Sequence, residues 1–411
     1  MPMPDNQLLD RYAELTVRSG VNIQPGQQLV VTAPLEAAPL ARKITEHAYR
    51  AGASLVTVLY SDEQATLARF QLAPDDAFDV APGWLFNGMA EAFKGGAARL
   101  ALVGEDPALL SEQDPAKVAR ANKARAVAYR PALEYISGFA INWSIVAFAH
   151  PAWARAVFPG VPEGEAVERL WQAIFAVTRT DRPDPVAAWA EHSAELERRA
   201  KWLNDGRFSA LRYSGPGTDL TLGLADEHKW LAAGGKAKNG VFCIANLPTE
   251  EVFTMPHRER VEGTVRSTKP LSYNGTLIDG IRVRLKGGRI VEAFAEKGEE
   301  TLRSLLATDE GAARLGEVAL VPHSSPISQS GLLFQNTLFD ENAASHIAVG
   351  QAYPDTIAGG GRRPKEELAR MGMNESVVHV DWMIGSEEID IDGVREDGSA
   401  VPVMRGGEWA E

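Results

Sequence analysis

At 411 residues the chain is long for one domain, and two of ordinary size are expected. An apolar share of 45% beside 24% charged residues is that of a folded, soluble chain and excludes disorder. The net charge of -13, from 42 basic and 55 acidic residues, offers no attraction to phosphate backbones or anionic membranes, so neither nucleic acid nor membrane is an expected partner.

The first fifteen residues, MPMPDNQLLDRYAEL, are acidic and amphipathic and do not form a signal peptide. Helical periodicity from Leu8 to Ser19 is followed by a β-branched run, Gln28 to Thr32. A second helix is expected from Ala38 to Ala51, a buried strand from Ser54 to Tyr60, a helix from Trp84 to Lys94 and a strand from Arg99 to Gly104. Strands alternating with helices predict a mainly parallel sheet in an N-terminal α/β domain. VVTAPLEAAPL follows the first strand with prolines where a phosphate-binding loop needs glycines, so no nucleotide cofactor is indicated. The most apolar stretch, Gly138 to Ala149, is too short to span a bilayer, and a cytoplasmic location is expected.

Pro183 and Pro185 introduce a charged helix from Val186 to about Asn204. Beyond it, short alternating runs and a glycine turn at Gly287 and Gly288 predict an α+β domain rich in antiparallel strands. The expected division is residues 1–205 and 206–411.

Acids and histidines in this second half carry the chemistry. In VVHVDWMIG, His379 and Asp381 lie two apart, so on a strand they share one face and can converge on one ion, while Val378, Val380 and Trp382 fill the other. The plainer alternative is a His-Asp hydrogen bond on a half-exposed strand. Glu250 and Glu251 precede the strand-like VFT; adjacent carboxylates repel, so one is expected inward and one outward, and alternation alone does not choose. A charged strand start flanked by Arg258 and Arg260 is the alternative there. Glu317 introduces an apolar strand in RLGEVALV. Glu341 and His346 are five apart, poor spacing for one helical face, and a turn or irregular helix start is expected around them. With Cys243 the single cysteine, disulfides and thiolate-rich zinc sites are excluded; any metal is held by oxygen and imidazole, a set that suits zinc, cobalt, manganese or magnesium.

The stretches NLPTEEVFTMP, RLGEVALV, FDENAASHIAVGQAY and VVHVDWMIGS resemble, in order and separation, the aminopeptidase T and aminopeptidase S family of dimetallic metallopeptidases. The resemblance runs over nearly the full chain. It implies removal of N-terminal residues from peptide substrates by a water activated between two divalent ions, zinc or cobalt foremost. It implies Glu251, Glu317, His346, His379 and Asp381 as metal ligands, Glu341 as a further ligand or catalytic acid, Tyr353 as the catalytic tyrosine, and a homodimer. A two-metal phosphoesterase and a non-catalytic metal-binding scaffold are the alternative functions.

Overall fold

The computed structural model describes residues 4–410 apart from 233, 274 and 275. The first three residues of the N-terminal segment read above lie outside the described residues. By its contacts the chain divides into Met1–Glu191 with Gly234–Pro248, and His192–Ala233 with Thr249–Glu411. The boundary expected at 205 therefore moves to 191/192. The helix there is continuous from Pro185 to Gly206, and its early residue Trp189 donates to the Thr178 carbonyl at 2.6 Å, whereas Leu196, Ala200 and Leu203 enter the core of the second unit. Sequence character changes where the helix ends; packing changes inside it.

The first unit holds a five-stranded parallel sheet in the order Asn246–Leu247, Trp143–Ala147, Ala98–Val103, Gln28–Pro34, Leu55–Ser61. Helices Asn6–Leu15, Ala38–Arg50 and Gly83–Lys94 form where the 3.6-residue periodicity predicts them. Phe86, Met89 and Phe93 of the last pack with Ala132 and Ile136 over Val30. Two expectations need correction. Leu55–Ser61 is an edge strand and its side chains are largely exposed, so its apolar sequence does not reflect burial on both faces. The run at 240–245 belongs to this unit, because Phe242–Ile244 leads into the strand at Asn246 that extends the parallel sheet. Among the described residues no helix is long and apolar enough to cross a membrane.

The second unit is built on two antiparallel sheets. One has eight strands, ordered Arg289–Phe294, Arg282–Lys286, Pro256–Arg266, Thr218–Leu224, Ala210–Gly215, Asp390–Val394, Ala400–Arg405, Glu408–Trp409. Its first two strands form the expected hairpin, with Gly287 and Gly288 at φ 56° and 72°, the left-handed values that this tight turn demands. The other has five strands, ordered His379–Met383, His346–Gly350, Leu315–Leu320, Val252–Thr254, Leu231–Ala232. Val252, Val318, Leu320, Ile347, Val349, Val380 and Trp382 from one face of this sheet join Leu220, Leu222, Val261 and Val283 of the larger sheet in a single core. Each fully buried aliphatic side chain contributes about 1.5–3 kcal/mol, so that face fixes the register of all five strands.

Candidate metal centre

The opposite face of the five-stranded sheet carries the acids and histidines. Register puts Glu317 and Asp381 on either side of Ala348, one strand away in each direction, and directly opposed residues share a face. His346 is two residues from Ala348, and His379 two from Asp381, so both rings rise from the same side. Ala348 is fully buried and presents only a methyl, leaving a floor on which the longer side chains converge. The Leu315–Leu320 strand shifts register at Gly316, where a Cβ would stand 2.4 Å from the Gly350 carbonyl oxygen; only glycine lets the strands approach there and offset Glu317.

The choice between Glu250 and Glu251 follows from the same register. Phe253 opposes Ala319, which has the parity of Glu317, so Glu251 shares the acid face while Glu250 follows Val252. The expectation that one acid would point to solvent is not met, since both are buried. Each meets a histidine: Glu251 Oε2 lies 3.2 Å from His346 Nε2, and Glu250 Oε2 lies 3.5 Å from His192 Nε2, which is also 2.9 Å from the Thr249 carbonyl. The arginines that offered a plainer account of these acids are engaged elsewhere, Arg258 with Glu259 and Arg260 with Asp226.

Two groups of side chains have the proximity to hold a cation: Glu251, Glu317 and His346, and Glu317, His379 and Asp381, with ligand atoms within 4.8 Å of one another in each. Glu317 stands in both. Its Oε1 is 3.6 Å from His346 Nε2 and its Oε2 3.8 Å from His379 Nε2, while His379 Nε2 lies 3.4 Å from Asp381 Oδ1. Both imidazoles are anchored through the other nitrogen, His346 Nδ1 to the Ala344 carbonyl at 3.1 Å and His379 Nδ1 to the Gln351 carbonyl at 2.7 Å. A carbonyl only accepts, so Nδ1 carries the proton and, in the neutral ring, Nε2 presents a lone pair to the carboxylates.

That arrangement demands a cation. Among the described residues, Glu251 Oε2, His346 Nε2 and Asp381 Oδ1 are buried and have no hydrogen-bond partner despite their short separations. In the metal-free chain, protons must meet the demand. Burial pushes the Glu317 carboxyl up to about 7, with the Asp381 and Glu251 charges adding to it and His346 opposing it. Burial, then Glu251 and Asp381, raise Glu341 well above the usual carboxylate range. Burial alone would lower both imidazoles, but Asp381 and Glu317 take His379 up to about 9, and Glu251 and Glu317 take His346 well above its ordinary value. Burial would likewise raise Asp381, but the close approach and charge of His379, with the charge of His346, hold it below the usual range. The orphaned atoms and the O and N donor set fit divalent cations.

Glu341 and Tyr353 flank this set without belonging to either group. Glu341 opens a short 3-10 turn, Glu341–Ala343, as its irregular spacing implied, and accepts from Asn342 Nδ2 at 3.4 Å. The Tyr353 ring centroid lies 4.9 Å from that of His379, tilted 50°. Although 44% of Tyr353 is exposed, its phenol is shifted up, first by burial of the hydroxyl end and then by Glu317, Asp381, Glu341 and Glu251.

Sequence reasoning missed Asn342, which is fully buried: its Oδ1 accepts from the Glu250 amide at 2.7 Å, and its Nδ2 donates to the Leu338 carbonyl and to Glu341 Oε1, which links the two acid-bearing segments. Its only signal was its place beside Glu341. Acids away from this face have structural uses: Glu227 pairs with Arg363, which follows the glycines at 359–361, and Asp392 pairs with Arg212 and Arg405.

A buried face of carboxylates and imidazoles with unsatisfied donor atoms defines a metal-dependent enzyme centre rather than a solvated charge cluster. The model of the thermophilic metalloprotease (M29) family matches residues 5–409, and the chain belongs to that family. It is 57% identical over 401 residues to aminopeptidase T of Thermus thermophilus, covering 98% of each chain, and 50% identical over 402 residues to aminopeptidase 2 of Geobacillus stearothermophilus, covering 98% of this chain and 97% of the relative. Aminopeptidase AmpS of Bacillus subtilis is 45% identical over 405 residues, with 98% and 99% covered. The solved structure of wild-type AmpT from Thermus thermophilus superimposes with a TM-score of 0.94 at 56% identity, covering 98% of this chain and 99% of that one.

Proposed function

We propose that this metal-dependent aminopeptidase would hold two divalent ions, one with Glu251, Glu317 and His346 and the other with Glu317, His379 and Asp381. The observation that carries the reading is the presence of Glu317 in both groups, beside buried donor atoms that no described residue satisfies with a hydrogen bond. Zinc or cobalt suits the donors best, with manganese or magnesium as alternatives. Bound there, the ions acidify water and polarise the scissile carbonyl. The remaining work falls to side chains. Glu341, held above the usual carboxylate range, takes the attacking water's proton and returns it to the departing amine. Tyr353 keeps its proton because its phenol is shifted up, and donates a hydrogen bond to the oxyanion. The surplus of buried acids supplies the negative field that attracts a free ammonium group and so favours peptide N-termini. A homodimer, implied by the family resemblance, and a cytoplasmic location, which fits the acidic single-cysteine composition, complete the proposal.

The test is hydrolysis of leucinamide and leucyl peptides before chelation, after it, and after zinc or cobalt is restored, with metal content measured alongside. Two ions per chain and chelator-sensitive release of the N-terminal residue are expected. Folded protein that cleaves nothing, or cleaves equally well without metal, overturns the reading.

A further inference from the structure

The metal centre is closed at one end and open at the other. The side chains of His346, Asp381 and Glu317 are 1%, 8% and 8% exposed, whereas His379 reaches 19% and Tyr353 is 44% exposed. A cavity of about 510 Å³ is lined by residues adjacent in sequence to that side, Gln351 and Pro354, which bracket Tyr353, and Ser376 and Val377, together with Leu368 and Met373. It shares backbone with the centre: the Gln351 carbonyl orients His379, and Val377 is two residues before His379. Asp309 fixes the far wall, accepting from the Val377 amide at 2.7 Å and from Ser376 Oγ at 2.9 Å. Leu368 and Met373 are buried, but Val377 is 81% exposed.

Resting on the aminopeptidase reading, we propose that this groove binds the substrate residue immediately after the scissile bond and prefers it apolar. An exopeptidase must enclose the free amine and leave room for a chain of any length on the other side. The enclosed end is where Glu251, Glu341 and Asn342 lie, all acidic or hydrogen-bonded to acids, and it suits the ammonium. The open end has a floor of Leu368, Met373 and Pro354, which removes water from an apolar side chain, and a rim of Asp309, Glu310 and Glu375 that repels acidic ones. Lys365 at the rim is paired with Glu375 at 3.3 Å, so it does not reverse that charge.

The experiment compares kcat/KM of the zinc- or cobalt-loaded enzyme for leucinamide, which has no residue past the scissile bond, with amidated Leu-Phe, Leu-Gly and Leu-Glu. The wild type should cleave Leu-Phe-amide about tenfold better than Leu-Gly-amide, the range of a well-filled apolar pocket, and Leu-Glu-amide worst. Val377→Glu is exposed and should fold normally; it should lower kcat/KM for Leu-Phe-amide, through KM, several-fold more than for leucinamide. No second-residue preference in the wild type, or a Val377→Glu loss equal on leucinamide and Leu-Phe-amide, overturns the groove assignment while leaving the aminopeptidase reading intact. No hydrolysis of any of the four by metal-loaded protein overturns both.

Discussion

Glu317→Gln should have opposite effects on the metal-free and the metal-loaded protein. The carboxyl of Glu317 is raised from 4.5 to about 7 chiefly by burial. A raised folded-state pKa means that the folded chain binds the proton more tightly than the unfolded chain. The group's contribution is therefore neutral to stability below about pH 4.5, turns unfavourable as pH climbs towards 7, and is fully unfavourable above it. The rise corresponds to a cost on the order of 3 kcal/mol at pH 8. Glutamine keeps the shape without the charge, so the metal-free variant should unfold at higher temperature than wild type at pH 8, by several degrees at about 2–4 °C per kcal/mol, and the difference should vanish near pH 4. With zinc or cobalt present the order reverses, because the variant loses the group common to both ligand sets while wild type gains binding energy. Thermal unfolding in chelator and in excess metal, at both pH values, measures the four quantities. A metal-free variant less stable than wild type at pH 8, or a variant stabilised by metal as much as wild type, would refute the argument.

Asp381→Ala removes one candidate ligand from the His379 group and leaves Glu251, Glu317 and His346 in place, so elemental analysis should find about one ion where wild type should bind two, with hydrolysis lost and the fold retained. Tyr353→Phe should keep its full metal complement while kcat falls about 100- to 1,000-fold, the range for a lost oxyanion donor; normal turnover would remove the hydroxyl from the reaction. Ala348→Leu places a branched side chain on the floor between Glu317 and Asp381, and chelator competition should show weakened metal binding alongside about 1–3 kcal/mol of overpacking cost in chemical denaturation.

Period-two alternation was enough to put His379 and Asp381 on one face, because Val380 and Trp382 between and beyond them are plainly core residues. The parallel sheet of the first unit was legible for the same reason, apart from Leu55–Ser61, whose apolar sequence does not reveal that it lies at an edge. Glu250 and Glu251 could not be separated locally. What separates them is the pairing of Phe253 with Ala319, a contact between segments more than sixty residues apart that no local pattern encodes. Ala348 was invisible for a related reason, since an alanine in HIAVG is unremarkable until its neighbours across two strands are known. The helix at 185–206 misled the domain boundary because composition shifts at its end while its packing partners change near its start.

The two faces of the five-stranded sheet explain how so many acids are held together. Bringing Glu251, Glu317, Glu341 and Asp381 into one buried space costs several kcal/mol in desolvation and repulsion, and the upward shifts at Glu317 and Glu341 express that cost. The strands cannot relieve it by slipping, because a one-residue slip would turn Val318, Leu320, Ile347, Val349, Val380 and Trp382 away from the core together. Burial of those six, at about 1.5–3 kcal/mol each, outweighs the strain on the acid face. The apolar face therefore preorganises the acid face, and on the two-ion reading proposed above, binding energy that would otherwise order the site would be available as affinity.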